Sequence, residues 1–252
     1  MEIGVLIGLA FFAGWVDAVV GGGGLLQVPG LFAVYPGTTP ATLFGTNKLA
    51  SIAGTSVATV RYLRAVSVPL RVLGPAFLAA LLGSFLGARA VALLPVAWVR
   101  PVILVLLVGV AVYTFWHRDL GKHHAPRLGA SAETWWALGV GLALGFYDGF
   151  FGPGTGMFLI FIFVRVFGYD FLSASAAAKV VNFGTNLAAL AYFIPTGHVL
   201  WLVGLGMAVA NIAGSLLGTQ LALRHGSGFV RRVFLGLVIV LIGKFGYDTF
   251  LA

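Results

Sequence analysis

Gly14-Trp15-Val16-Asp17-Ala18-Val19-Val20-Gly21-Gly22-Gly23-Gly24 returns 131 residues later as Gly145-Phe146-Tyr147-Asp148-Gly149-Phe150-Phe151-Gly152-Pro153-Gly154-Thr155. The same offset, with no gap, sets Lys48 on Lys179, Gly83-Ser84 on Gly214-Ser215, Gly87 on Gly218 and Arg100 on Arg231. Apolar coincidences mean little in so hydrophobic a chain. Asp on Asp and Lys on Lys in one register is different, because the chain has only seven acidic residues and four lysines. A duplicated hydrophobic unit with polar residues at corresponding places is the mark of secondary transporters, whose site lies between the repeats.

Composition fixes the solvent. With 60% hydrophobic and 9% charged residues, against about 25% charged in soluble domains, the chain cannot cover a surface facing water and reads as an all-α integral membrane protein. Lipid is then its main neighbour, and the net charge of +8 points to anionic headgroups and not to nucleic acid, because the arginines sit at the ends of apolar runs. The absence of cysteine removes disulfide, thiolate-metal and redox readings. No cofactor signature is present, and His117, His123 and His124 read as part of a solvated loop. Met1-Glu2-Ile3-Gly4 lacks the basic start of a secretory signal, so the first apolar run is expected to be a membrane segment.

Residues 1–116 and 134–252 form two membrane repeats joined by a polar linker, 117–133. Each repeat opens with an apolar run (Ile3 to Val19; Thr134 to Phe150), a glycine break and a short run (Leu25 to Pro36; Gly156 to Phe167). Three longer runs follow, near the length of about 20 residues that crosses a bilayer: Thr46 to Leu63, Pro69 to Leu94 and Trp98 to Trp116, then Ala176 to Ile194, Val199 to Leu223 and Phe229 to Phe250. If the broken pair crosses once, the repeats are parallel and basic residues outside the membrane cores divide six to six. If it folds back as a re-entrant hairpin, the repeats are inverted. Ten basic residues (Arg61, Arg64, Arg71, Arg118, Lys122, Arg127, Arg165, Arg224, Arg231 and Arg232) then share one face, against Arg89 and Arg100 on the other. The positive-inside rule selects the inverted repeat, with both termini outside the cytoplasm.

The breaks carry the most specific chemistry. Gly21 to Gly24 and Gly152-Pro153-Gly154-Thr155-Gly156 interrupt runs that would otherwise continue as helix. Non-helical backbone at membrane depth survives only inside protein or beside a water-filled cavity. A helix that starts there presents free N–H groups and a partial positive charge to an anion. Gly22, Gly23, Gly24, Gly154, Thr155 and Gly156 are therefore candidate binding residues. Glycines that only allow close helix packing are the plainer alternative.

Polar residues inside the runs complete the candidate site. Thr46, Asn47 and Lys48 lie together, and Lys179, Asn182 and Asn186 share one helical stripe by their spacing of three and four. Ser51 and Thr55 match Asn182 and Asn186 in the repeat register. Lysine, amide and hydroxyl groups can together bind oxyanion oxygens. Asp17 and Asp148, four residues before each break, are placed either to carry a proton or to pair with Lys48 and Lys179 as packing ion pairs. Ionisable groups within a membrane are costly and usually functional. Lys244 reads as an interfacial residue.

Gly14 to Gly24 with Gly45-Thr46-Asn47-Lys48 and Arg61-Tyr62, and Gly145 to Gly156 with Lys179-Val180-Val181-Asn182-Phe183 and Asn186, resemble the two signatures of the sulfite exporter TauE/SafE family of membrane permeases. The resemblance covers nearly the whole chain. It implies a multi-pass inner-membrane transporter of small sulfur-containing anions, sulfite or organosulfonates, driven by the proton gradient. Gln27 and Met157 stand just after the breaks, where a small hydroxyl would suit an anion better.

An enzyme would need a nucleophile with its base, or a metal set, and the chain offers neither; His198 and His225 lie at run ends with no acid and serine to complete a triad. An anion channel could use the same helix ends, but broken helices at matching places favour alternating access. The sequence assigns no oligomeric state.

Overall fold

The computed structural model of the protein describes residues 2–91, 121 and 124–250. They form α1 (Glu2–Val20), α2 (Gly24–Val34), α3 (Pro40–Ala65), α4 (Leu70–Ala90), α5 (Ala130–Phe150), α6 (Thr155–Arg165), α7 (Phe171–Phe193) and α8 (Trp201–Phe250). The last is divided at Gly226, whose φ of 69° and ψ of −167° are not helical. The run Trp98 to Trp116 lies outside the described residues.

Helix positions follow the hydrophobic runs, and their ends follow local chemistry. α3 begins at Pro40 and not near Thr46, because proline fits a first turn whose N–H groups have no partner within the helix. Lys48 is consequently more than two turns inside the helix. α7 begins at Phe171 because the Asp170 carboxylate accepts from the Leu172 and Ser173 N–H groups, which also places Lys179 two turns in. α5 starts at Ala130, ahead of the expected Thr134, and so includes Glu133, buried against Arg71 at 2.6 Å.

Three described helices contain stretches long and apolar enough to cross a membrane: Ile3–Val20, Leu70–Ala90 and Trp201–Val240. α3, α5 and α7 are as long, at 26, 21 and 23 residues, and two of them carry the polar stripes. α2 and α6, at 11 residues each, reach only about 16 Å, half of the hydrocarbon core.

Contacts set the helix directions. α2 doubles back along α1, with Gly23 against Ala13 and Asp17 and Gly30 against Leu6 and Leu9. α3 runs parallel to α1, from Leu43 clustered with Leu6 and Ala10 to Tyr62, whose hydroxyl donates to Ala18 O at 2.9 Å. α7 runs opposite to α3: Thr59 meets Lys179 near one end, while Gly45 lies against Phe193 near the other. α4 and α7 are parallel, with Ser84 on Thr185 and Ala88 clustered with Ala189 and Phe193. α5 lies parallel to α4, placing Gly141, Gly145 and Gly149 on Ala76, Ala80 and Ser84. α5 therefore runs antiparallel to α1.

The close contacts come in exchanged pairs. A Cβ on Gly14 would strike Asn211 O and one on Gly145 would strike Ala80 O; Gly83 abuts Leu142 and Phe146 as Gly214 abuts Phe11 and Trp15. Ser84 Oγ donates to Thr185 O at 2.7 Å, and Ser215 Oγ donates to Gly54 O at 2.7 Å. In each case, moving both residues by 131 positions, in opposite directions, turns one contact into the other. Each such contact joins residues from different halves of the chain.

Candidate functional site

The two glycine breaks meet in space. Gly21, at φ 78°, closes α1 by donating its N–H to Asp17 O, and Gly152 and Gly154, at φ 92° and 86°, link α5 to α6. Only glycine takes such φ values readily. Gly21 and Gly156 lie backbone to backbone, so that a Cβ on either would strike the other, while Gly24 faces Pro153. The N-termini of α2 and α6 thus converge between α3 and α7; of their first four N–H groups, those of Leu25, Leu26 and Gln27 and of Thr155, Met157 and Phe158 bond back to the breaks, which leaves Gly24 and Gly156 to face the cavity. Thr155 Oγ1 donates to Gly152 O at 2.7 Å and Tyr147 Oη to Pro153 O at 2.8 Å, which steadies the second break.

Two ion pairs flank this point. Lys48 Nζ donates to Asp148 Oδ2 at 2.5 Å and Lys179 Nζ to Asp17 Oδ2 at 2.8 Å. The expected pairing within each half, Asp17 with Lys48 and Asp148 with Lys179, is thereby corrected to pairing across the halves. The reason is the exchanged packing, in which each lysine-bearing helix faces the hairpin of the other half. Thr55 Oγ1 also donates to Asp17 Oδ2, at 3.4 Å.

Between the pairs lies a small cavity with about 30 Å³ of room for the centres of water-sized spheres, enough for about two waters. Its wall is drawn from both halves: Asp17, Gly21 and Gly24; Asn47, Lys48, Ser51 and Thr55 on α3; Asp148, Gly152, Thr155 and Gly156; Asn182 and Asn186 on α7. Eleven of the residues singled out in the sequence line it: Asp17, Gly24, Asn47, Lys48, Ser51, Thr55, Asp148, Thr155, Gly156, Asn182 and Asn186. Lys179 is fully buried and reaches the site only through Asp17.

Four others lie off the wall. Gly22 sits under Leu237 and Met157, Gly23 against α1, and Gly154 serves as the left-handed N-cap of α6. Thr46 ties α3 to the start of α8, its hydroxyl donating to Thr42 O and accepting from Leu200 N–H. Gly21 and Gly152 join the wall without having been singled out as binding residues; the repeat register, which sets one upon the other, was the signal for them.

Three buried amides around the site have an unpartnered atom: Asn47 Oδ1, Asn182 Oδ1 and Gln27 Nε2. Gln27 accepts from Ser51 Oγ at 3.3 Å, so it stands behind the wall and holds one of its hydroxyls. A buried polar group left unpaired costs about 1–3 kcal/mol. The two on the cavity wall, Asn47 Oδ1 and Asn182 Oδ1, are acceptors, which water or a protonated ligand oxygen would satisfy.

A family model described as "Sulfite exporter TauE/SafE" matches residues 6–245 of the chain. A "Probable membrane transporter protein" of Haemophilus influenzae is 34% identical over 253 residues, which cover 98% of this chain and 98% of that protein. The "Probable membrane transporter protein YfcA" of Escherichia coli is 33% identical over 247 residues, 98% of this chain and 90% of its own. No solved structure matches the chain.

Proposed function

The chain belongs to the sulfite exporter TauE/SafE family, and on that premise we propose that it is a multi-pass carrier of the inner membrane. It moves a small sulfur-containing anion, sulfite or an organosulfonate, by alternating access coupled to protons. The observation that carries this reading is the convergence, in one cavity lined by both halves, of two helix N-termini and the Lys48 ammonium, with Lys179 just behind Asp17. Helix N–H groups, amides and ammonium groups are together an oxyanion receptor. The proton couples through one of the two cavity carboxylates, Asp17 or Asp148.

The exchanged contacts and the antiparallel course of α1 and α5 support reading the duplication as an inverted repeat about an axis in the membrane plane. α1–α2 and α5–α6 are then re-entrant hairpins entering from opposite faces. A cavity with room for about two waters does not admit a sulfur oxyanion, so binding requires the halves to part. That fits alternating access better than a standing pore.

Counterflow in liposomes tests the proposal. Vesicles preloaded with unlabelled sulfite should transiently concentrate labelled sulfite, which an open channel cannot do. Uptake that equilibrates without overshoot would assign a channel. Independently, sulfite or a small sulfonate should raise the melting temperature of the solubilised protein by mass action, and a shift with cations alone would refute the anion site.

A further inference from the structure

We infer that transport is electroneutral, one proton entering with each negative charge, and that Asp17 is the carboxylate that loads it; this rests on the transport reading above. The first part follows from the charge count. Lys48 with Asp148 and Lys179 with Asp17 sum to zero, and among the described residues no other charged side chain lines the cavity. The remaining titratable neighbours are Tyr62 and Tyr147, whose hydroxyls are committed to Ala18 O and Pro153 O. A buried site that is neutral when empty turns negative when an anion enters, and an uncompensated charge away from water is expensive. Protonating one carboxylate restores the balance. A hydronium ion delivers the proton: its O–H bond breaks as the O–H bond of the carboxylic acid forms, and water is left behind.

The second part follows from a difference between the two pairs. They occupy matching repeat positions in unlike surroundings. The Asp148 and Lys48 side chains are 7% and 4% exposed, and both lie against the backbone of Gly152. Asp17 is 18% exposed while Lys179 behind it is 0% exposed, so Asp17 is the more open of the two cavity carboxylates to water. Once protonated, it leaves the Lys179 charge unopposed. The cavity becomes positive by one, and an anion held by Lys48, the amides and the helix ends returns it to neutrality. Empty and loaded carriers both cross with no net charge.

The test uses the purified full chain in proteoliposomes with methanesulfonate, which is fully ionised at every usable pH, so that any proton movement passes through the protein. An internal pH dye counts protons, and potassium with valinomycin sets the membrane potential. The expected result is one proton per methanesulfonate and an initial rate independent of potential. Uptake accelerated by an inside-positive potential without acidification would overturn the inference while leaving the carrier intact.

Two charge-conserving variants then locate the loading group. Asp148→Asn/Lys48→Met should keep one proton per anion at lower affinity, whereas Asp17→Asn/Lys179→Met should lose proton coupling. The reverse result would move the role to Asp148. Absence of uptake of both methanesulfonate and sulfite under every gradient would remove the transport reading and the inference with it.

Discussion

At the scale of single residues, the crossing of the ion pairs governs what substitutions do. Lys48→Met strands the Asp148 carboxylate where it is 7% exposed, and breaking a buried pair in this way costs about 3–5 kcal/mol. Adding Asp148→Asn removes the stranded charge and should restore most of the stability. Adding Asp17→Asn instead strands Lys179 as well and should lower it further. Melting curves of the three variants in one detergent decide the matter, and rescue by the Asp17 change would contradict the pairing. The rescued double variant should still bind anion about ten-fold to a hundred-fold more weakly, the worth of a charge-assisted hydrogen bond. The residue types of the site were legible in the sequence, because two aspartates and two lysines in a membrane run cannot be incidental. Their partners were not, since a repeat register shows which positions are equivalent and not which are neighbours. Gln27 illustrates the same limit: its link to Ser51 joins α2 to α3, and no spacing encodes it.

At the scale of elements, glycines fall into two kinds that a sequence does not separate. Gly83 and Gly74 share α4, yet a Cβ on Gly83 would strike Leu142 O and Phe146 N, while one on Gly74 meets nothing within 4 Å. Gly83→Ala should therefore force α4 from α5 and cost about 1–3 kcal/mol, whereas Gly74→Ala should be neutral or gain up to about 1 kcal/mol of helix propensity. Thermal melting of the two variants checks the contrast.

Helix ends give a second prediction. Burial pushes the Asp170 carboxyl up, but hydrogen bonds from the Ser227 hydroxyl, the Ser173 N–H and hydroxyl and the Leu172 N–H outweigh it and hold the carboxyl below its usual range. A group depressed on folding contributes stability above its unfolded pKa and loses it as pH falls through the folded value. Asp170→Asn should thus destabilise at neutral pH, with the difference from the native chain shrinking as the pH is lowered into and below the carboxylate range. Apolar runs announced the helices. The Asp170 cap and its tie to Ser227 across the chain were hidden, because one is a local backbone choice and the other a tertiary contact.

For the whole molecule, direction across the membrane is the quantity to measure. The chain has no cysteine of its own, so single cysteines report cleanly. Thr39→Cys, between α2 and α3, should react with an impermeant thiol reagent in intact cells, and Ser67→Cys, between α3 and α4, should react only after lysis. The opposite pattern would reject the inverted layout. The 131-residue register that sets Asp17 on Asp148 and Lys48 on Lys179 is legible in the sequence. How closely the halves interlock was not, because the glycine seams between α1 and α8 and between α4 and α5 each join one half to the other.

Those seams also impose an order on synthesis. α1 leaves the ribosome well before α8, yet the surface that closes on Gly14 belongs to Asn211, and the glycines that receive Phe11 and Trp15 are Gly214 and Gly218. The α1–α2 hairpin must therefore wait in the bilayer, its seam uncovered, until α8 has been translated. A nascent chain arrested before α8 holds an unfinished first hairpin, which makes the interval before that helix inserts the period when the newborn protein is most open to chaperones and proteases.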